Sequence, residues 1–209
     1  MKRILHIIAS PRGEESRTLK VSKAFFDAVK KKHPDCRVDE LNVFKEKLPE
    51  LNVKRVDGKY ILLGGKELPE EFKKAWAEIT AHIERFMAAD ICVISVPMWN
   101  FSIPYPLKQY IDVIVQPKYL FRYTDKGVEG LAGGKKMIVI TSRGGDYSPD
   151  SPAHSYDLEE PYLRTVFGFV GITDITFIKA EPMDASGPEV QAKKIAEAQA
   201  YAKKIAEAV

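Results

Sequence analysis

The sequence predicts an α/β fold: a three-layer sandwich in which a five-stranded parallel sheet of order 2-1-3-4-5 carries helices on both faces. Three observations predict it. Five short apolar runs alternate with segments of helical periodicity, which is the pattern of βα units wound into a parallel sheet. The strand candidates Arg3 to Ala9, Asp90 to Val96 and Lys136 to Thr141 are apolar at most positions, as strands covered on both faces are. The chain of 209 residues is the right size for one such domain, with 45% hydrophobic and 29% charged residues.

The elements follow in order. Arg3 to Ala9 is the first apolar run, broken by Ser10-Pro11-Arg12-Gly13. The N-terminal stretch Met1 to Leu5 is too short for a signal-peptide core and is read as part of this strand. A helix is expected from Ser16 or Thr18 to Lys32, with Leu19, Phe25, Phe26 and Val29 on its apolar side and His33-Pro34 as its stop. Arg37 to Val43 alternates and reads as the second strand. Residues 44–65 are irregular, with Pro49, Gly58, Gly64 and Gly65, and are expected to pack on the surface or touch a partner. Leu68 to Ala89 is a long amphipathic helix carrying Phe72, Trp76, Ile79, Ile83, Phe86 and Met87. Asp90 to Val96 is the most apolar strand candidate. After the loop Pro97 to Pro106 comes a helix from Pro106 to Val115, then a small hairpin over Tyr119 to Val128 around Lys126-Gly127. Lys136 to Thr141 is a buried strand, Ser142 to Pro152 a polar loop, and Glu160 to Gly168 a helix. Ile175 to Ala180 is the fifth strand, and Pro188 to Val209 a closing Ala/Lys/Glu helix. Nothing in the sequence marks a linker, so residues 1–209 are read as a single domain.

Composition excludes several classes. With 32 basic against 29 acidic residues, the net charge of +3 is too small to imply nucleic acid. No apolar run reaches the roughly 18 residues of a membrane span. The cysteines Cys36 and Cys92 form no CxxC pair, which argues against a disulfide framework or zinc site and suits the cytoplasm. The four histidines, His6, His33, His82 and His154, are scattered, so no metal site is expected.

In a sheet of this order, ligands bind beyond the carboxyl ends of the strands, near the switch between strands 1 and 3. Three loops lie there. The loop from Ser10 to Thr18 leads into a helix N-terminus, where free N–H groups and the dipole favour a phosphate. Ser10, Ser16 and Thr18 add hydroxyls, and Arg12 or Arg17 a charge. The loop is neither GxGxxG nor GxxxxGK[ST], and its Ser and Thr serve equally well as N-caps. The loop Pro97-Met98-Trp99-Asn100-Phe101 sets large apolar side chains after the central strand. They suit a flat heteroaromatic ring, or a loop folded back on its own core. The loop Ser142-Arg143-Gly144-Gly145 lets backbone N–H groups approach a ligand, or is simply a turn. Together the three loops suit a phosphate, an aromatic ring and the carbonyl edge of that ring, which is the shape of flavin mononucleotide.

These residues resemble the FMN-dependent NADH:quinone oxidoreductases, or azoreductases, of the flavodoxin-like fold. The likeness is carried by Pro97-Met98-Trp99-Asn100-Phe101, Phe121-Arg122-Tyr123-Thr124, Gly133-Gly134-Lys135-Lys136, Thr141-Ser142-Arg143-Gly144-Gly145 and the run from Phe167 to Thr173. The resemblance implies FMN contacts from Ser10, Ser16, Arg17 and Thr18 at the phosphate. It implies further contacts from Met98, Trp99, Asn100 and Phe101 along the ring, and from Ser142, Arg143, Gly144 and Gly145 at its edge. It implies an acceptor site touched by Asn100, Phe121, Tyr123 and Phe167, a homodimer in which Phe121 and Tyr123 wall the partner's site, and NADH or NADPH as donor. The implied activity is ping-pong reduction of quinones and azo compounds by hydride transfer through flavin N5, with no catalytic side chain required. The chain departs from the family at Trp99, where Tyr is common, at Arg17-Thr18, and in a long loop from Asp146 to Glu160. Two other readings remain at this level: a flavin- or nucleotide-binding regulatory subunit, which would use residues 44–65 as its contact, and a one-electron carrier, which would normally be acidic.

Overall fold

A computed structural model describes residues 2–209; Met1, counted in the expected N-terminal run, lies outside the described residues. In chain order the elements are β1 (Arg3–Ile8), α1 (Arg17–Lys32), β2 (Arg37–Asn42), α2 (Val53–Leu63), α3 (Glu70–Ala88), β3 (Ile91–Pro97), α4 (Tyr105–Ile114), β4 (Phe121–Thr124), β5 (Gly127–Gly130), β6 (Lys136–Ser142), α5 (Glu160–Phe169), β7 (Asp174–Ala180) and α6 (Gly187–Glu207).

Five strands form one parallel sheet in the order β2-β1-β3-β6-β7. The hairpin β4–β5 is a separate antiparallel two-stranded sheet, with an isolated bridge from Phe121 to Pro117. It falls between β3 and β6 in the chain, which is why the five strands expected as 2-1-3-4-5 carry the numbers 2, 1, 3, 6 and 7.

Alternate side chains of each strand point to opposite faces, and both faces are covered. On one, Leu5, Ile7, Cys92, Ile94, Met137 and Val139 pack with Trp76, Ile79, Ile83 and Phe86 of α3, Leu107 and Ile111 of α4, and Leu163 and Phe167 of α5. On the other, Ile4, Val93, Ile138, Ile140 and Ile178 pack with Val21, Phe25, Phe26 and Val29 of α1 and Ala198, Ala202 and Ala206 of α6. Each fully buried large side chain contributes about 1.5–3 kcal/mol. The small residues of α6, one turn apart, let it lie close against α1. The two edge strands depart from the buried pattern: β7 buries only Ile178 and Ala180, and β2 only Leu41, with charged side chains along the β2 edge that discourage further pairing.

One expectation is corrected. Residues 44–65 are not wholly irregular, because they contain α2. The Asn52 side chain caps it by accepting from the Arg55 N–H at 3.1 Å, and it docks on α3 where Gly58 faces Trp76. Among the described residues, no helix is long and apolar enough to cross a membrane.

Candidate functional site

The loops after β1, β3 and β6, with the Met183-Asp184 segment after β7, border a cleft of about 190 Å³ at the carboxyl edge of the sheet. The strand registers bring them together: Pro97 lies beside Ser142, and Ser142 beside Ala180.

The end nearest α1 is rich in donors. Ser16 caps α1, its hydroxyl accepting from the Leu19 N–H at 3.3 Å, and Ser10 Oγ donates to Ser16 Oγ at 2.8 Å. The first-turn N–H groups of a helix have no intrahelical acceptor and present a positive dipole end. The Arg17 guanidinium crosses toward the β7 side and pairs with Asp184 at 2.6 Å. Thr18 is fully buried, and its hydroxyl shares a hydrogen bond of 2.7 Å with Ser142 Oγ, tying α1 to the end of β6. Beneath, Ser95 Oγ meets Ser22 Oγ at 2.6 Å and the His6 ring at 2.8 Å. Burial pushes the His6 imidazole down to about 4, so it is neutral at physiological pH.

The loop after β3 is a tight turn. Trp99 and Ser102 exchange both backbone hydrogen bonds, at 2.8 and 3.0 Å, and Asn100 and Phe101 both take positive φ, 47° and 71°. This is the geometry of a two-residue type I′ hairpin turn. The turn is anchored where the Met98 N–H donates to the Ser142 carbonyl at 3.0 Å, and where the Phe101 carbonyl accepts from the Leu158 N–H at 2.9 Å. The rings of Trp99 (38% exposed) and Phe101 (47% exposed) are buttressed from one side by Phe44 and Tyr156, with ring centres 5.7 and 5.4 Å away. Their remaining faces form an uncovered aromatic platform, with Trp99 lining the cleft.

The loop after β6 is packed against its own chain. The Gly144 carbonyl accepts from the N–H groups of Met183 and Asp184 at 3.1 and 2.9 Å. A Cβ on Gly144 would stand 2.9 Å from Asp184 Oδ2, so the close approach that glycine permits there is to Asp184.

Arg143 lines the cleft with its main chain alone. Its guanidinium turns inward, fully buried and bonded to Glu159 at 2.9 Å and Asp157 at 2.8 Å, with Glu181 at 3.6 Å. Three carboxylates share one buried cation. Burial raises Glu159 to about 7, against the lowering influence of Arg143 and of Thr141, which donates to it.

Phe167 and Phe121 lie away from the cleft. Phe167 is fully buried, its ring stacked on Phe86 with centres 6.1 Å apart, and an apolar ring on the inward side of α5 has no face left for substrate. Phe121 is buried between Phe169 and Tyr123. Tyr123 is exposed, but it lines a depression of about 590 Å³ between α2 and the β4–β5 hairpin, away from the cleft.

The cleft therefore brings together Ser10, Ser16, Arg17, Met98, Trp99, Ser142 and the main chain of Arg143. Asn100, Phe101, Gly144 and Gly145 flank it in the same loops. Sequence reasoning missed Met183 and Asp184, although the loop after the fifth strand opens on the same sheet edge. It also missed the Arg143 carboxylates. Among the described residues, no cluster of His, Cys, Asp and Glu side chains is placed to hold a metal ion.

Comparison with known proteins agrees with this fold. The family described as flavodoxin-like fold matches residues 2–205. The chain is 40% identical over 206 residues to an FMN-dependent NADH:quinone oxidoreductase of Nitratidesulfovibrio vulgaris, covering 99% of both chains. It is 39% identical over 204 residues to one of Nostoc punctiforme, covering 96% of both. Among solved structures it resembles an azoreductase from Bacillus anthracis str. Sterne, with a TM-score of 0.90 and 32% identity over the whole of both chains. It also resembles an FMN-dependent NADH-azoreductase from Bacillus anthracis str. Ames Ancestor in complex with FMN, with a TM-score of 0.84 and 28% identity, covering 99% of this chain and all of that one. On sequence, fold and full-length correspondence, the chain belongs to the flavodoxin-like family of FMN-dependent NADH:quinone oxidoreductases and azoreductases.

Proposed function

We propose that the protein is an FMN-dependent NAD(P)H oxidoreductase that reduces quinones and azo compounds, acting in the cytoplasm as a homodimer with residues 1–209 forming one domain. The observation that carries this reading is a single cleft with phosphate-type donors at one end and an uncovered aromatic turn at the other. The residues fit FMN. At the phosphate end, Ser10, Ser16, Arg17 and the first-turn N–H groups of α1 supply hydroxyls, a cation and a positive dipole end. At the ring end, Met98, Trp99 and Phe101 offer apolar surface at the height of the sheet edge, and Asn100 an amide. The Arg143 N–H is already donated to the Ala180 carbonyl at 3.0 Å, so the N–H groups assigned to the polar edge of the ring are those of Gly144 and Gly145.

The chemistry FMN supplies when bound is two-electron hydride transfer through N5, with donor and acceptor taking turns in ping-pong order. The chain's part is positioning and electrostatics. N–H groups of the Gly144-Gly145 loop would hold negative charge at the ring edge. The turn Trp99–Ser102 holds the platform against which a flat acceptor lies, and the Tyr156 and Leu158 segment braces that turn from behind. No side chain of the cleft is required as an acid or base, since solvent can protonate the product.

A second copy of the chain is supported by exposed apolar side chains away from the cleft, including Tyr123, Val128 and Phe169. Tyr123 is the residue we assign to the wall of a partner's site.

The test is the visible spectrum of the purified protein with FMN, followed by anaerobic NADH or NADPH. A flavin band near ~450 nm that bleaches with the nicotinamide and returns with a quinone supports the full reading. A band that neither nicotinamide bleaches would leave a flavin carrier, and no flavin uptake at all would overturn the reading.

A further inference from the structure

The pair formed by Arg17 and Asp184 has no obvious place in a site built for a phosphate. Asp184 puts a carboxylate at the end of the cleft that holds the α1 N-terminus, Ser10 and Ser16, where every other group favours an anion. The Asp184 main chain is anchored, its N–H bonded to the Gly144 carbonyl, while its carboxylate, 65% exposed, lies against Gly144 where a Cβ would fall 2.9 Å away. Arg17 is the first residue of α1, with a long side chain that can pivot about a fixed backbone. The guanidinium, about a quarter exposed, therefore has two anions to choose between: the carboxylate of Asp184, and any phosphate bound at the helix start. A phosphomonoester carries about −1.5 to −2 at neutral pH, against −1 for a carboxylate.

We propose that Asp184 is a competing anion that determines how tightly, and how selectively, this chain holds a phosphorylated flavin. It occupies Arg17 while the phosphate is absent, yields it when the phosphate arrives, and repels the phosphate throughout. The proposal rests on the reading of the cleft as an FMN site and deepens it, naming Asp184 as the residue that sets the margin between FMN and its uncharged counterpart riboflavin. Arg17 acts on that margin in the opposite sense.

The experiment measures dissociation constants of FMN and riboflavin for the full-length, flavin-free protein by quenching of flavin fluorescence. The variants are Asp184→Asn, Arg17→Gln and the double variant. Asp184→Asn keeps the shape and hydrogen-bonding reach of an exposed side chain and removes its charge. It is expected to tighten FMN about twofold to fivefold while leaving riboflavin unchanged, the range that a charge pair at the surface supports. The gain shrinks as salt is raised, since an exposed charge is screened. Arg17→Gln weakens FMN and spares riboflavin. In the double variant the gain from removing Asp184 is smaller than in the wild type, because the contested guanidinium is gone. An FMN-to-riboflavin ratio that Asp184→Asn leaves unchanged or lowers overturns the proposal, and the pair is then only a tie between α1 and the loop after β7. If the wild type binds neither flavin, the cofactor reading falls and this proposal with it, an outcome distinct from binding with an unaltered ratio.

Discussion

Replacing Gly58 by Ala tests how α2 is seated, and two opposing effects decide the result. Gly58 lies in the interior of α2. Alanine in a helix interior is favoured over glycine by about 0.5–1 kcal/mol. Packing acts the other way. A Cβ on Gly58 would stand 2.8 Å from Trp76 Cε2 and closer still to Nε1, which is inside any separation real Cβ atoms keep. Trp76 cannot withdraw, because it is 1% exposed and stacked on Tyr119 with ring centres 6.3 Å apart. Overpacking of this kind costs about 1–3 kcal/mol. The clash outweighs the helix preference, so Gly58→Ala is expected to destabilise the protein by about 1–2 kcal/mol. Gly168 is the control. It lies in α5, and a Cβ there meets nothing within 4 Å. Gly168→Ala is therefore expected to stabilise by about 0.5–1 kcal/mol. Urea unfolding of both variants beside the wild type gives the two midpoints, which should move in opposite directions. A Gly58→Ala midpoint that rises with that of Gly168→Ala would refute the reasoning and mean that α2 is not held on the face of Trp76.

The other expectations concern two buried residues. Glu159 is raised to about 7 in the folded chain, chiefly by burial, so its contribution to stability is whole below its ordinary pKa near 4.5 and is lost as pH rises through about 7. The loss comes to about 3 kcal/mol, and Glu159→Gln should abolish it; urea unfolding of both proteins at pH 5 and pH 8 would show the difference, and parallel pH profiles would refute it. Phe167→Ala should cost about 3–5 kcal/mol of stability, as a core truncation does. Its KM for quinone in the folded variant should stay at the wild-type value; a selective rise in KM at unchanged stability would return Phe167 to the substrate site.

The legible parts of the fold are those where one local signal suffices. Strands β1, β3 and β6 are apolar at nearly every position because helices cover both faces, so their runs stand out. Helix α1 announces itself by Ser16 at its cap and Phe25, Phe26 and Val29 on one side. Helix α2 is hidden for a physical reason. It buries only Gly58 and Leu62, and Gly58, which reads as a helix breaker, is there to admit the Trp76 ring. The capping side chain of Asn52 is the one usable signal. At the site, the loops after the strands can be found because topology points to them. The pairing of distant charges cannot. Nothing local to Arg143 says that it turns inward to Asp157, Glu159 and Glu181, or that Arg17 will meet Asp184. Resemblance alone assigns Phe167 to substrate, although the inward position it holds on an apolar helix gives it to the core.

The self-closed turn from Trp99 to Ser102 has a thermodynamic consequence for recognition. Ordering one residue of a flexible loop consumes about 1–2 kcal/mol of chain entropy. Here the two backbone hydrogen bonds across the turn, the Met98 and Leu158 anchors and the bracing rings fix four residues during folding. A planar ligand that lands on these aromatics therefore meets a surface already in its final shape. It gives up its own freedom and none of the loop's, so the favourable contacts of a modest area can appear as affinity. The left-handed backbone at Phe101, an awkward conformation for a bulky residue, is the strain the fold sustains to keep that surface ready.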